Sequence, residues 1–224
     1  MLTSAGRIRD GLHDARERGA AFVSAALRPG VTPGIAQEVS SGHFERLAEY
    51  EGTARQDGEF FVVTGDMSRY PLMARLCREL TAVVHQQGSE IEGLRRWYPD
   101  QAWVQRYRPG SRGITVHKDL KRHGLLVAVF TLDGSAAFAL CKNRAGDARM
   151  SWAAGPGSLV LLRGPGFDGT DDDRPLHAVG GPGSGQRVSL TFRMDSNQER
   201  TDAAGHAHRA DGGTRDRSGR SPNR

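Results

Sequence analysis

Between residues 101 and 193 the sequence is cut into eight short β-rich runs with glycine- and proline-bearing turns between them. The runs occupy residues 103–107, 114–119, 125–132, 136–141, 150–153, 158–162, 176–179 and 187–193. Pro109-Gly110, Asp133-Gly134, Gly155-Pro156-Gly157, Gly164-Pro165-Gly166 and the stretch 180–185 supply the breaks. Many short strands with turn signals at this spacing predict a two-layered sandwich or jelly roll.

The rest of the chain is of a different kind. In residues 1–58, Ile8, Leu12 and Ala15, then Phe22, Val23, Ala26 and Leu27, recur near helical spacing, and Arg28-Pro29-Gly30 ends the pattern. A second helix is predicted from Pro33 to about Ala48. Phe60-Phe61-Val62-Val63 reads as a strand. A helix follows from Pro71 to His85 with Leu72, Leu76, Leu80 and Val83 on one face, Ser68 or Arg69 where a cap is needed, and Gly88 as its end. Beyond Met194 almost no large apolar residue remains, so residues 195–224 cannot bury a core and are expected to be disordered. His206 and His208 form an HxH pair there, read as part of a solvated tail rather than a metal site. The expected organisation is an N-terminal helical segment at 1–58, a core at 59–194 and a tail at 195–224.

No apolar run approaches the roughly 20 residues of a membrane span. The best stretch, 20–27, follows Arg16, Glu17 and Arg18, and an acidic residue there does not suit a secretory signal. It reads as a buried helical segment, and the expected location is cytoplasmic, with no membrane partner. Cys77 and Cys141 are the only cysteines, in no CxxC pair, and read as small core residues. The net charge of +5 invites a nucleic-acid reading, but only three of the 31 basic residues are lysines and acids are interleaved throughout. Nucleic acid is therefore not the favoured partner.

The chemistry concentrates in three runs. In Ile114-Thr115-Val116-His117-Lys118-Asp119, strand alternation would put His117 and Asp119 on one face, with Cα atoms roughly 6.6 Å apart. An HxD pair alone is a weak signal. His177, in Pro175-Leu176-His177-Ala178-Val179, adds a second imidazole 58 residues after Asp119. Two histidines and one carboxylate leave three coordination positions open, the facial triad of non-haem Fe(II) oxygenases. In the last run Arg187, Ser189, Thr191 and Arg193 share one face, and Val188, Leu190 and Phe192 the other. Guanidinium groups turned into a barrel are costly unless they meet an anion, and a dicarboxylate answers that cost through the bidentate fork of arginine.

The order HxD, distal His, then Arg ten residues on resembles the Fe(II)/2-oxoglutarate-dependent dioxygenases, and within them the AlkB-like branch. That branch ends in a strand of the form R-x-N-x-T-F-R, where this chain has Arg187-Val-Ser-Leu-Thr-Phe-Arg193. An N-x-Y-x-P-G-like approach is matched by Gln105-Arg-Tyr107-Arg-Pro109-Gly110. The likeness covers about residues 100–194. It implies an α+β fold with a double-stranded β-helix (jelly-roll or cupin-like) core and N-terminal helices packed against it. It implies Fe(II) held by His117, Asp119 and His177, with 2-oxoglutarate as cosubstrate and O2 as oxidant. Arg187 would pair with the distal carboxylate of 2-oxoglutarate, helped by Tyr107, Gln105 and Ser189, while Arg193 would approach the carboxylate nearer the iron. No catalytic residue beyond the metal ligands is implied. The intact Asp119 argues for hydroxylation rather than halogenation.

Gln105 and Ser189 stand where the family has asparagine, and Leu120, Lys121 and Arg122 follow Asp119 where AlkB repair enzymes commonly carry a second acid. Trp97, Tyr98 and Trp103 are either base-stacking groups or core. The favoured reading is an oxygenase of a small molecule or an amino-acid- or peptide-derived substrate, and the alternative is an AlkB-type demethylase of alkylated nucleic acid. Residues 164–173, which include Asp171-Asp172-Asp173, either cover the site or form a solvated turn.

Overall fold

The structure, a computed structural model, describes residues 1–51 and 54–195. Its elements in chain order are α1 (Ala5–Arg18), β1 (Ala20–Val23), α2 (Val31–Ser40), β2 (Glu45–Arg46), β3 (Tyr50–Glu51), β4 (Ala54–Asp57), β5 (Glu59–Thr64) and α3 (Pro71–Gln87). The eight strands β6 (Gln101–Tyr107), β7 (Gly113–His117), β8 (His123–Asp133), β9 (Ala136–Cys141), β10 (Ala148–Ala154), β11 (Leu159–Arg163), β12 (Leu176–Val179) and β13 (Arg187–Asp195) follow. Single 3-10 turns lie at Leu94–Arg96 and Phe167–Gly169.

Two antiparallel sheets face each other. The larger has the order β1-β11-β8-β13-β6-β5-β2 and the smaller β10-β9-β12-β7-β4-β3. From β6 to β13 the chain crosses repeatedly from one sheet to the other, so each sheet takes four of the eight strands: a double-stranded β-helix. Each of the eight strand-like runs in the sequence falls on one of these strands, although the run at 114–119 outlasts β7 by two residues and that at 158–162 starts one residue before β11. Gly113 and Gly134 mark two of the corners at φ +78° and +64°; a Cβ at Gly113 would strike the Val179 carbonyl, and one at Gly134 the Gln186 carbonyl.

Alternation on the large sheet builds two cores. Leu126, Ala128, Phe130, Leu159, Leu161, Leu190 and Phe192 turn outward against Leu12 of α1, Ile35 and Val39 of α2, and Leu76, Leu80 and Val84 of α3. Val127, Val160 and Leu162 turn inward to meet Ile114, Phe138, Leu140 and Val179 of the small sheet. The helices thus cover the outer face of one sheet and hold it as a rigid wall for whatever the inner face carries.

Three N-terminal expectations are corrected. Ala20–Val23 is not helical: Gly19, left-handed at φ +90°, caps α1 through its N–H to Ala15 O at 2.9 Å, and the next four residues pair with Leu159–Leu162 as an edge strand. The second helix stops at Ser40 rather than near Ala48. The Ser40 and Ser41 hydroxyls turn back to Gln37 O and Glu38 O, the local bonding by which serine ends helices. α3 takes no cap from Ser68 or Arg69. The Glu38 carboxylate of α2 instead accepts from Leu72 N and Met73 N at 2.7 and 2.9 Å, placing an anion on the positive end of the helix. The HxH pair and the tail expectation fall at residues 196–224, outside the described residues.

Cys77 and Cys141 are both free and buried, as expected of small core residues. Among the described residues no helix is long and apolar enough to cross a membrane.

Candidate metal centre

His117 ends β7 and His177 lies directly opposite it on β12. Two residues below, Val179 pairs with Ile114, so three residues of β7 oppose two of β12. This bulge lets Ile114 and His117, three apart, both face the barrel. β7 ends at His117, so Asp119 reaches the site from the turn beyond the strand rather than by strand alternation. Arg174 pins that turn: its guanidinium donates to the Asp119 carbonyl and is held by Asp172 at 2.7 Å.

One ligand atom from each of His117, Asp119 and His177 lies within 4.8 Å of the others. Each Nδ1–H donates to a backbone carbonyl, His117 to Thr115 O at 2.9 Å and His177 to Pro175 O at 3.2 Å. Both Nε2 lone pairs are thereby left for a shared target, the arrangement that orients metal-binding histidines. The His177 ring is stacked on Phe138 at 5.4 Å and 5°, fixing its plane. His177 Nε2 and Asp119 Oδ2 are 3.7 Å apart, while Asp119 Oδ1 accepts from Arg193 at 3.0 Å. One carboxylate oxygen is occupied and the other faces the imidazoles.

Electrostatics keep this donor set ready for a cation. Burial would raise the Asp119 carboxyl, but Arg193 and the neighbouring histidines outweigh it and hold the group at about 2. Burial, aided by His177, pushes His117 down to about 4. Near neutral pH a carboxylate and a neutral His117 therefore stand together, the forms that bind metal.

The large sheet supplies the opposite wall. Gln105, Tyr107, His117, Asp119, His177, Arg187, Ser189 and Arg193, the residues expected from the sequence to hold the metal and the cosubstrate, line one cavity of about 120 Å3. Arg187 is 2% exposed and has no carboxylate partner. It reaches only Ser189 Oγ at 3.3 Å and Thr131 Oγ1 at 3.4 Å, and its Nε has no partner. Burial depresses its pKa, and pushes the neighbouring Tyr107 hydroxyl up. A guanidinium desolvated without a counter-ion is a costly arrangement that a bound carboxylate would repair. Arg193 differs: besides Asp119 it lies 4.7 Å over the Trp103 ring.

Of the three aromatic candidates only Trp103 lines the cavity; Trp97 is core, with Nε1 donating to Leu126 O at 2.7 Å, and Tyr98 is exposed on the surface. None of residues 164–173 lines the cavity, which fits the turn reading. Arg16–Asp168 at 2.7 Å ties that loop to α1, and Asp173 pairs with Arg163. Sequence reasoning missed His123. It is 1% exposed, lines the cavity, packs edge-on to Trp103 at 6.2 Å, and finds no partner for either ring nitrogen. It falls in the turn between two runs, where no periodicity marks which residues face inward.

No protein-family model matches the sequence, and no curated protein matches it. Solved structures do match. A prolyl-4-hydroxylase from Pseudomonas putida aligns with TM-score 0.56 at 15% identity, over 84% of this chain and 98% of that one. A prolyl hydroxylase from Trichoplax adhaerens, in complex with a hypoxia inducible factor oxygen degradation domain peptide fragment, gives 0.58 at 15%, over 89% and 94%. The non-heme alpha ketoglutarate dependent epimerase SnoN from nogalamycin biosynthesis gives 0.56 at 14%, over 86% and 84%. The likeness is one of fold. It extends over 84–89% of this chain and 84–98% of the three solved structures.

Proposed function

We propose that this chain is a non-haem Fe(II)/2-oxoglutarate-dependent oxygenase that hydroxylates a small molecule or an amino-acid- or peptide-derived substrate. The observation that carries the reading is the pairing, inside one cavity, of a two-histidine, one-carboxylate cluster with a buried guanidinium that lacks an anion. The donor set suits Fe(II) and the orphaned Arg187 suits a dicarboxylate. All eight site residues fall in the 59–194 segment that we take as the oxygenase core. The fold shared with prolyl hydroxylases and a non-heme alpha ketoglutarate dependent epimerase supports the same reading.

In this mechanism His117 Nε2, His177 Nε2 and Asp119 Oδ2 would hold the iron, and Arg193, which occupies Asp119 Oδ1, would leave Asp119 one oxygen for it. Arg187 anchors the distal carboxylate of 2-oxoglutarate, with Ser189, Tyr107 and Gln105 around it. Arg193, which lines the same cavity, would approach the carboxylate nearer the metal. Iron with this cosubstrate and O2 supplies the oxidising power, giving succinate and CO2 as the coproducts of substrate oxidation. Phe138, Val129 and Leu162 line the remaining wall and exclude water from the reacting centre. The position after Asp119 is taken by Leu120, which lines the cavity and offers no hydrogen bond to a base edge. This favours the small-molecule or peptide reading over nucleic-acid demethylation.

The test is succinate release with Fe(II), 2-oxoglutarate and a substrate panel that includes acetylated peptides and methylated single-stranded oligonucleotides. His177→Ala should lose Fe(II) binding, read by titration, while keeping the fold by circular dichroism. Full activity in that variant would sink the assignment. Release driven by the oligonucleotide alone, with formaldehyde formed in equal amount, would replace this reading by oxidative demethylation.

A further inference from the structure

A second cavity, of about 580 Å3, lies beside the metal centre, a size that ordinarily holds a small-molecule ligand. The two cavities meet at Leu47 and Gln56, which line both. Gln56 sits on β4 opposite Ile114, with its side chain turned into the barrel. Its backbone N–H is taken by Glu49 O at 2.8 Å. Its side-chain amide has no partner among the described residues, although the residue is only 5% exposed. Neither amide atom is sealed off from the cavities. Buried amides are hydrogen-bonded in folded proteins, and one that is not bonded internally and faces a cavity is set to bond what enters it. A primary amide offers donor and acceptor side by side, and another amide meets both at once.

The walls of the second cavity add charge. Arg46 and Arg112 line it and are in no ion pair. Of the two acids that line it, Glu49 is occupied by Arg55 at 2.8 Å, which leaves Asp57 as the unpaired carboxylate. Two open guanidinium forks against one carboxylate favour an acid that also carries a hydrogen-bond donor.

We propose that this second cavity is the substrate subsite, and that it takes an N-acylated amino acid or short peptide: Gln56 pairs with an amide next to the metal centre while Arg46 and Arg112 take the carboxylate. The proposal rests on the oxygenase reading above for what happens to that ligand, but not for its binding. Arg46 and Arg112 line the second cavity and Arg187 the first, so substrate and cosubstrate acids are received in different cavities and do not compete.

The experiment is calorimetric titration of the metal-free full-length protein with acetyl-Gly-Gly-Gly as free acid and as C-terminal amide. Acetylglycine serves as the short arm that separates an amino-acid ligand from a peptide. The free acid should bind saturably. The C-terminal amide should bind at least about tenfold more weakly, the usual consequence of losing a charge-assisted pair. Arg112→Ala should weaken the acid by a similar factor and leave the amide unchanged, Gln56→Leu should weaken both, and Arg187→Ala should change neither. Equal affinity for acid and amide, loss in Arg187→Ala rather than in Arg112→Ala, or no saturable binding would each overturn the proposal. Should Gln56→Leu fail to fold, the similarly sized Gln56→Met carries the test of the amide contact, and the exposed Arg46→Ala/Arg112→Ala pair that of the carboxylate. Binding without succinate release would sink the oxygenase reading and leave the subsite standing; turnover without peptide binding would do the reverse.

Discussion

On β13, Val188, Leu190 and Phe192 face the helices, while Arg187, Ser189, Thr191 and Arg193 face the barrel. Both faces are buried, yet they are built on opposite rules. On the helix side the packing is apolar and complete, with Phe192 edge-on to Phe130 at 6.2 Å, and the polar groups that enter find partners: Trp97 Nε1 reaches Leu126 O, and the His85 ring reaches Trp97 O. On the barrel side His123, Arg187, Thr191 and Arg193 all keep buried polar atoms without partners. Apart from Arg163, these are the only side chains so left among the described residues, and all four line the metal cavity. One face of a single strand holds the molecule together, and the other stores unmet interactions for a ligand.

The sharpest way to break this contrast is to truncate on the stabilising face. Phe192→Ala should cost about 3–5 kcal/mol of unfolding free energy, the range for emptying a large aromatic from a packed core. Chemical denaturation measures it, and a loss below about 1 kcal/mol would mean that the helices do not anchor the sheet.

Next in size is a pH effect on the barrel side. Burial, then Arg193, lowers the His123 pKa from 6.5 to about 4. The folded protein therefore keeps His123 neutral where the unfolded chain already takes up a proton. Stability is complete above pH 6.5, falls between 6.5 and about 4, and levels off below. The part due to this residue is at most about 3.4 kcal/mol at 1.36 kcal/mol per unit. Thermal midpoints of the metal-free protein across that window should fall less steeply in His123→Phe than in the wild type.

Arg187 separates the two faces most cleanly. Arg187→Ala should weaken 2-oxoglutarate binding by about 1.5–3 kcal/mol, the worth of a hydrogen bond to a charged group. Arg187→Met should do the same while keeping or raising the thermal midpoint, since a buried charge without a counter-ion gives way to a methionine that fills its space. A lower midpoint would show that the guanidinium holds the fold rather than waiting for an anion. The smallest effect is expected at the rim, outside both faces. Arg16→Ala removes the half-exposed pair to Asp168 and should cost about 0.2–1 kcal/mol, with cosubstrate affinity unchanged.

How much of this was legible in the sequence follows from where each signal lives. Alternation along a strand is a local property, so the two faces of β13 were readable residue by residue, and His177 fell on a strand bounded by its own turn. The eight barrel strands were readable because glycine and proline punctuate them. In the N-terminal region the spacing of Ile8, Leu12 and Ala15 marked α1, but what surrounds it was not readable. Ala20–Val23 is four apolar residues with no internal period, and only pairing with β11 makes it a strand. The helix cap from Glu38 joins residues 34 positions apart and leaves no local trace. His123 and Gln56 escaped for a related reason. Each matters because it lacks a partner in three dimensions, and a missing contact has no sequence signature.

The bulge in β7 carries a consequence for how such a barrel can diversify. Above it, His117 is fixed opposite His177; below it, Ile114 is opposite Val179 and Gln56. Deleting one of the two bulged residues would restore regular pairing and leave both ends in place, His117 opposite His177 and Ile114 opposite Val179. Regular pairing without a deletion would instead put Thr115 opposite Val179, so that a hydroxyl would stand where Ile114 meets Gln56 while the histidine end kept its register. Whether the bulge is kept or slipped at this point decides which side chain forms the floor of the pocket, while its histidine end is untouched. The strand is thus jointed at the boundary between the part that chemistry holds constant and the part that selectivity is free to rewrite.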